Sequence, residues 1–140
     1  MLLGSVAGHI ATPDSAAYCM SKFAVRALAE SFRGDLQADG IGVTLVSPGF
    51  VHSDIRRTDN TGGLHADAPD PVPAWLRVPT DKAVREIVGA VERGRPEVVV
   101  TGHAKLLVFL SRQAPRLVRF ILMRAHRGRP EPKPAAGGDA

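Results

Sequence analysis

The chain has 140 residues, 44% of them apolar and 23% charged, and a formal net charge of +4. This is ordinary globular composition at a length suited to one domain, and it excludes a fibrous or wholly disordered protein. A single cysteine, Cys19, excludes an internal disulfide, and no zinc-type Cys/His spacing occurs, so a reducing, cytoplasmic location is the simplest expectation. The opening MLLGSVAGHIA has no basic region before its brief apolar run and reads as a buried strand, not a signal peptide. No segment reaches the apolar length of a membrane span.

Residues 1–5 predict the last part of a parallel strand, and residues 8–13 a loop. Asp14 or Ser15 caps a helix running to about residue 39, with Ala24, Leu28, Phe32 and Leu36 as its apolar row and Gly40 as its stop. On that helix Tyr18 and Lys22 stand one turn apart on one face, and Ser5 reaches them from the strand end. A phenol, with a reference pKa of about 10, exchanges protons poorly at neutral pH unless positive charge stabilises its phenolate. An adjacent ammonium supplies that charge, and a serine hydroxyl can hold a substrate oxygen. Proton exchange with an alcohol or ketone is the task these residue types fit. Tyr-x-x-x-Lys alone is a weak signal, since the same spacing is common on solvated helices.

Residues 41–47 (IGVTLVS) are β-branched and apolar with little alternation, as expected of a strand covered on both faces. Pro48-Gly49 after it would, alone, be an ordinary turn. Residues 54–79 have no helical or strand period and are too long for a mere connector, so they read as a lid. His52 and His65 lack a partner carboxylate in sequence and are left out of the catalytic set. Thr80 caps a second helix over 81–93, with Val84, Ile87, Val88 and Val91 as its core row and Gly94 at its end. Residues 97–101 (EVVVT) form another buried strand, completing β-α-β-loop-α-β.

Beyond Gly102 the composition changes. Residues 106–110 are apolar and Pro115 restarts the chain. Leu117, Val118, Ile121 and Leu122 then occupy one side of a helix, and Arg116, Arg119 and Arg127 the other. No acid occurs between His103 and Gly128. The first expectation is a tail packed on its own sheet, on a lipophilic-substrate pocket or on a partner subunit, with an anionic membrane surface as the alternative. No aromatic-basic interleaving points to nucleic acid.

Ser5 and Tyr18 lie thirteen residues apart, with Lys22 four further on. Together with the small residues Ser15, Ala16, Ala17, Ser21 and Ala24 and the run VSPGFVHS at 46–53, this pattern resembles the short-chain dehydrogenase/reductase family over roughly residues 2–101. The resemblance implies an α/β fold in which residues 1–102 are the C-terminal half of a Rossmann-like, doubly wound parallel sheet. Residues 54–79 would be the substrate loop, with Trp75 and Leu76 as candidate apolar lid anchors and His52 or His65 as groups able to meet polar parts of a substrate, while composition makes 103–127 a basic amphipathic helical tail and 128–140 disordered. The resemblance implies an NAD- or NADP-dependent oxidoreductase acting on an alcohol or ketone, for which the apolar tail suggests a lipophilic molecule; it leaves the oligomeric state open, with a homo-oligomer packed through the Tyr18 helix, as in many similar enzymes, as one expectation. Ser5, Tyr18 and Lys22 would be catalytic. Tyr18, Lys22, Pro48, Gly49, Val51 and Ser53 would meet the cofactor, Ser53 standing where the family often has threonine. Gly4 departs from the small polar residue many members carry there.

The family's Gly-rich phosphate turn does not occur in these 140 residues. Neither do the residue that selects NAD or NADP, the Asn-Ala-Gly stretch and the upstream catalytic asparagine. The resemblance therefore implies a C-terminal part, inactive alone, whose open strand edge favours aggregation or self-pairing. The competing expectation is a non-catalytic interaction or membrane-surface module that keeps the site residues from its descent.

Overall fold

The computed structural model describes residues 1–58, 61–70 and 72–127, and the expected disorder of 128–140 lies outside the described residues. Three strands, β1 (Leu2–Leu3), β2 (Leu45–Pro48) and β3 (Glu97–Val100), form one parallel sheet in the order β1-β2-β3. Leu3 lies opposite Val46, and Val46 opposite Val98. Parallel neighbours need a crossover. The chain supplies α1 (Ala16–Asp35) between the first two strands and α2 (Thr80–Glu92) between the last two, then ends in α3 (Gly102–Gln113) and α4 (Pro115–Arg127). This is the α/β order expected from the sequence.

The aliphatic run of β2 makes it the buried centre, with Leu45, Val46 and Ser47 almost wholly removed from solvent. Val46, Val98 and Val100 pack with Ala83 and Ala90 of α2, and Val51 and Ile87 close the margin of this core. Both helices thus bury small side chains: Cys19 and Ala29 on α1, Ala83 and Ala90 on α2. The apolar row of α1 and the row of α2 expected to be core are largely exposed instead. Ala24, Leu28 and Phe32 of α1, and Val84, Val88 and Val91 of α2, face outward, with only Leu36 and Ile87 partly covered. Small side chains allow the closest approach of helix to sheet, and three strands cover only one stripe of each helix.

Element ends also differ from expectation. α1 stops at Asp35, several residues early, because Gly34, Asp35 and Asp39 are weak helix formers and the Ile41 N–H turns back onto the Leu36 carbonyl (3.2 Å), with Gly40 at a φ of +69°. Ser15 occupies the N-cap position of α1 without a capping side-chain hydrogen bond, and Asp14 adopts a φ of +60°. Pro79, not Thr80, precedes α2. The Thr80 hydroxyl donates instead to the His52 carbonyl (2.8 Å), joining α2 to the segment after β2.

The segment 54–79, aperiodic in sequence, is organised around one acid. The Asp70 carboxylate accepts from Arg56 Nε (2.9 Å) and Nη2 (2.7 Å), from Arg77 Nη1 (3.0 Å) and from the Val72 N–H (2.9 Å). The Arg56 hydrogen bonds, with that of Val72, hold its pKa well below the usual carboxylate range. Short 3-10 turns at Asp54–Arg57 and Ala74–Leu76, and a parallel bridge between Val51 and Val78, complete the segment.

A second polar network ties the turn after β1 to the rest. The side chain of His9 is only 1% exposed. Arg26 Nη1 of α1 lies 3.2 Å from His9 Nδ1, and a guanidinium can only donate, so Nδ1 is the acceptor and the ring proton sits on Nε2. Nε2 faces Ser47 Oγ of β2 (3.0 Å) and Glu97 Oε1 of β3 (3.3 Å), and Glu97 is in turn held by Arg112 of α3 (3.0 Å). Burial lowers the His9 pKa; Arg26 and Arg112 push the same way, while Glu97 and Glu30 oppose.

The sign of the linkage follows. The unfolded chain protonates His9 near its ordinary value of 6.5 and the fold resists protonation, so this group's stabilisation is complete above that value and is lost as pH falls below it. Urea midpoints measured from pH 8 to pH 5 should fall in the parent chain and fall less in His9→Gln, which keeps hydrogen-bonding groups but does not titrate. Equal slopes would remove His9 from the account.

Candidate active site

Ser5 emerges from β1 at the carboxyl edge of the sheet, where open α/β sheets place ligands. Its Oγ accepts the Ala7 N–H (3.2 Å) and so caps the 3-10 turn Val6–Gly8, which leaves the hydroxyl proton free to donate elsewhere. The turn lies directly on α1. A Cβ placed on Gly8 would sit 2.6 Å from the carbonyl oxygen of Lys22, closer than real Cβ atoms approach a backbone oxygen, and 3.1 Å from its carbonyl carbon. Glycine at this position is therefore what lets the Ser5 turn meet the backbone at Lys22.

Tyr18 and Lys22 project from the same face of α1, as their spacing predicts. Lys22 Nζ stands 5.7 Å from the centroid of the Tyr18 ring, within cation–π range, and donates to the Leu3 carbonyl of β1 (3.3 Å). One ammonium thus binds the helix to the strand that leads into Ser5. Tyr18 is 49% exposed, and its phenol oxygen has no hydrogen-bond partner among the described residues. It is an accessible phenol beside a fixed cation.

The second part of the edge follows β2. Pro48 ends the strand and the Gly49 N–H donates to the Val100 carbonyl (3.1 Å). A Cβ on Gly49 would collide with the Thr101 hydroxyl and lie 2.9 Å from Ala104 Cβ, so glycine is needed for β2 to pass the start of α3. The Val51 carbonyl accepts from Arg56, while its N–H has no protein acceptor among the described residues. The same holds for the hydroxyl of exposed Ser53. Both are donors left open at the sheet edge.

Three residues here were not singled out from sequence. Thr101, buried with a φ of +90°, and His103 are joined by a 3.1 Å hydrogen bond between Oγ1 and Nε2, and the His103 ring stacks on Phe50 at 5.7 Å. A non-glycine residue at positive φ costs conformational energy and leaves no trace in sequence. His9 is the third; its partners Ser47 and Glu97 are distant along the chain. His52 and His65 lie exposed after β2, Trp75 is 82% exposed, and Leu76 is half-buried.

Comparison with known proteins gives a consistent result. Residues 2–63 match the family model described as short chain dehydrogenase. A Drosophila melanogaster protein named dehydrogenase/reductase SDR family protein 7-like is 32% identical over 122 residues, covering 86% of this chain and 37% of that relative. The Bos taurus dehydrogenase/reductase SDR family member 7B is 31% identical over 133 residues, covering 94% of this chain and 40% of its own length. The chain thus spans about two fifths of the length of the curated relatives it matches. Among solved structures, a short chain dehydrogenase from Burkholderia cenocepacia in complex with NADP superposes with a TM-score of 0.64 at 22% identity, over 85% of this chain and 45% of that one. A short-chain dehydrogenase from Sphingobium yanoikuyae in complex with NADPH gives 0.58 at 21% identity, over 94% and 46%. These likenesses identify the three-stranded sheet with its helices as part of a Rossmann-like fold.

The Gly8 contact gives a direct test. Gly8→Ala must push the Ser5 turn away from α1, at a cost of about 1–3 kcal/mol, the range for overpacking a tight site. Urea denaturation should show a lowered midpoint at unchanged slope. An unaltered midpoint would mean that the approach is looser than 2.6 Å.

Proposed function

We infer that this chain, which belongs to the short-chain dehydrogenase/reductase family, contributes the proton-transfer side of an oxidoreductase that interconverts an alcohol and a ketone with a nicotinamide cofactor. The observation that carries the reading is the Lys22 ammonium 5.7 Å from the Tyr18 ring, on a helix pinned to the Ser5 turn. An accessible phenol next to a fixed positive charge is equipped to part with a proton and to take it back. In reduction, Tyr18 Oη gives its proton to the substrate oxygen while the Ser5 hydroxyl donates a hydrogen bond to the same oxygen. Lys22 balances the negative charge left on the phenol. Oxidation runs these steps in reverse.

The residues also suit a nicotinamide nucleotide. Lys22 has N–H groups beyond the one given to Leu3 and, with Tyr18, would hold ribose hydroxyls. The open Val51 N–H and Ser53 hydroxyl would hold the carboxamide, next to the Pro48-Gly49 turn. The cofactor, when bound, supplies or accepts the hydride. NADP or NADPH accompanies two solved relatives, which makes NADPH the first probe. The substrate class proposed is a lipophilic alcohol or ketone, met by the 54–79 segment with Trp75 and Leu76.

The 140 residues contain no Gly-rich phosphate turn, so NADPH titrated into this chain alone should not bind at micromolar concentration. Behind a Gly-rich nucleotide-binding half of the same family, turnover of a ketone panel should appear. There Tyr18→Phe should lower kcat by at least about a hundredfold, the usual scale of general acid-base catalysis, and leave NADPH affinity nearly unchanged. Micromolar binding by the isolated chain would overturn the division of labour, and undiminished turnover in Tyr18→Phe would overturn the acid-base role.

A further inference from the structure

The tail helices are anchored to the fold by few side chains. Ala104 and Val108 of α3 and Val118 of α4 are buried. Outward on α4 lie Leu117, Phe120, Ile121 and Met123, between 54% and 62% exposed, and on α3 Leu106 and Phe109 are equally open. Leu117, Phe120, Ile121 and Arg124 recur at three- and four-residue steps, one stripe of a helix, and exposed Arg116, Arg119 and Met123 flank it.

The charge on this surface is unbalanced. From 103 to 127 there is no acidic residue. Two of the cationic side chains there are used by the fold, Lys105 pairing with Glu86 and Arg112 with Glu97, and His126 faces Asp14. Arg116, Arg119 and Arg124 form no ion pair among the described residues. A second copy docking through this face about a two-fold axis would bring these three cations against their own duplicates. A surface of lipid headgroups would neutralise them and take up the apolar stripe.

We propose that α4, together with the exposed side of α3, is a peripheral docking surface for an anionic lipid bilayer. No helix of the described residues is long and apolar enough to cross a membrane. The contact is therefore in-plane, with α4 lying along the interface, Leu117, Phe120 and Ile121 entering the boundary between headgroups and acyl chains, and the three arginines meeting lipid phosphates and carboxylates.

Flotation of the full 140-residue chain tests this, since lipid-bound protein rises while any aggregate sinks. The chain should float with phosphatidylcholine vesicles containing about 30% phosphatidylserine, weakly with pure phosphatidylcholine, and less at about 0.5 M salt. The triple change Arg116→Gln, Arg119→Gln, Arg124→Gln should lower the partition coefficient about a hundredfold. Phe120→Ser with Ile121→Ser should lower it as well, and each variant should keep the parent urea midpoint because these positions are exposed. Failure to float on the anionic vesicles, equal flotation on neutral ones, or binding unchanged by the arginine substitutions would overturn the proposal. So would a dimer by light scattering that Phe120→Ser dissolves, since that would assign the face to a second copy.

Discussion

The absence of a side chain at Gly8 is the constraint on which the rest of this arrangement depends. The turn that follows Ser5 can lie against α1 only because its backbone comes within a side chain's width of the Lys22 carbonyl. Lys22 then reaches past that contact to the Leu3 carbonyl, and Tyr18 stands one turn before it on the same face. Strand end, turn and helix are locked by backbone proximity and one ammonium. His9, one residue after Gly8, adds a buried polar lock from the same turn to α1, β2 and β3. The phenol is left accessible while everything that positions it is fixed, which is what the proposed proton transfer would require.

The second half of the edge is built by the same means. Gly49 lets β2 pass the start of α3, and the strained Thr101, its hydroxyl bonded to His103, occupies the space a side chain on Gly49 would need. The segment beyond is held by Asp70 between Arg56 and Arg77, and by the Thr80 bond to the His52 carbonyl. Val51 and Ser53 are thus framed by ordered structure while their donor groups stay open. Electrostatics is divided accordingly: Arg56 and Arg77 are paired with Asp70, Arg112 with Glu97 and Lys105 with Glu86, while Lys22 forms no ion pair among the described residues and gives its N–H to the Leu3 carbonyl.

Much of this was legible in the sequence because it is local. Helical spacing puts Tyr18 and Lys22 on one face and the order of elements gives the parallel sheet, but the run 41–47 forms its buried strand only from Leu45, with Ile41 52% exposed, and the opening strand, expected to be buried, leaves Leu3 58% exposed at the sheet margin. The errors have a common physical origin. Periodicity reveals that a helix face is apolar but not what covers it: the apolar row of α1 leaves Leu28 and Phe32 exposed and the row of α2 expected as core leaves Val84, Val88 and Val91 exposed, while Cys19, Ala29, Ala83 and Ala90 are the residues buried. Bonds between distant residues were invisible. Nothing near His9 announces Ser47 or Glu97, nothing near Arg56 announces Asp70, and the hydroxyl of Thr80 reads as a cap until His52 is seen beside it.

The central claim is that Ser5, Tyr18 and Lys22 act as one unit. A double-mutant cycle on turnover tests it most directly, with Ser5→Ala and Tyr18→Phe made singly and together behind a cofactor-binding half of the family. Groups that act on one substrate oxygen are strongly non-additive, so the double variant should be scarcely slower than the worse single variant. Losses that multiply, each change costing the same whether or not the other is present, would contradict the account.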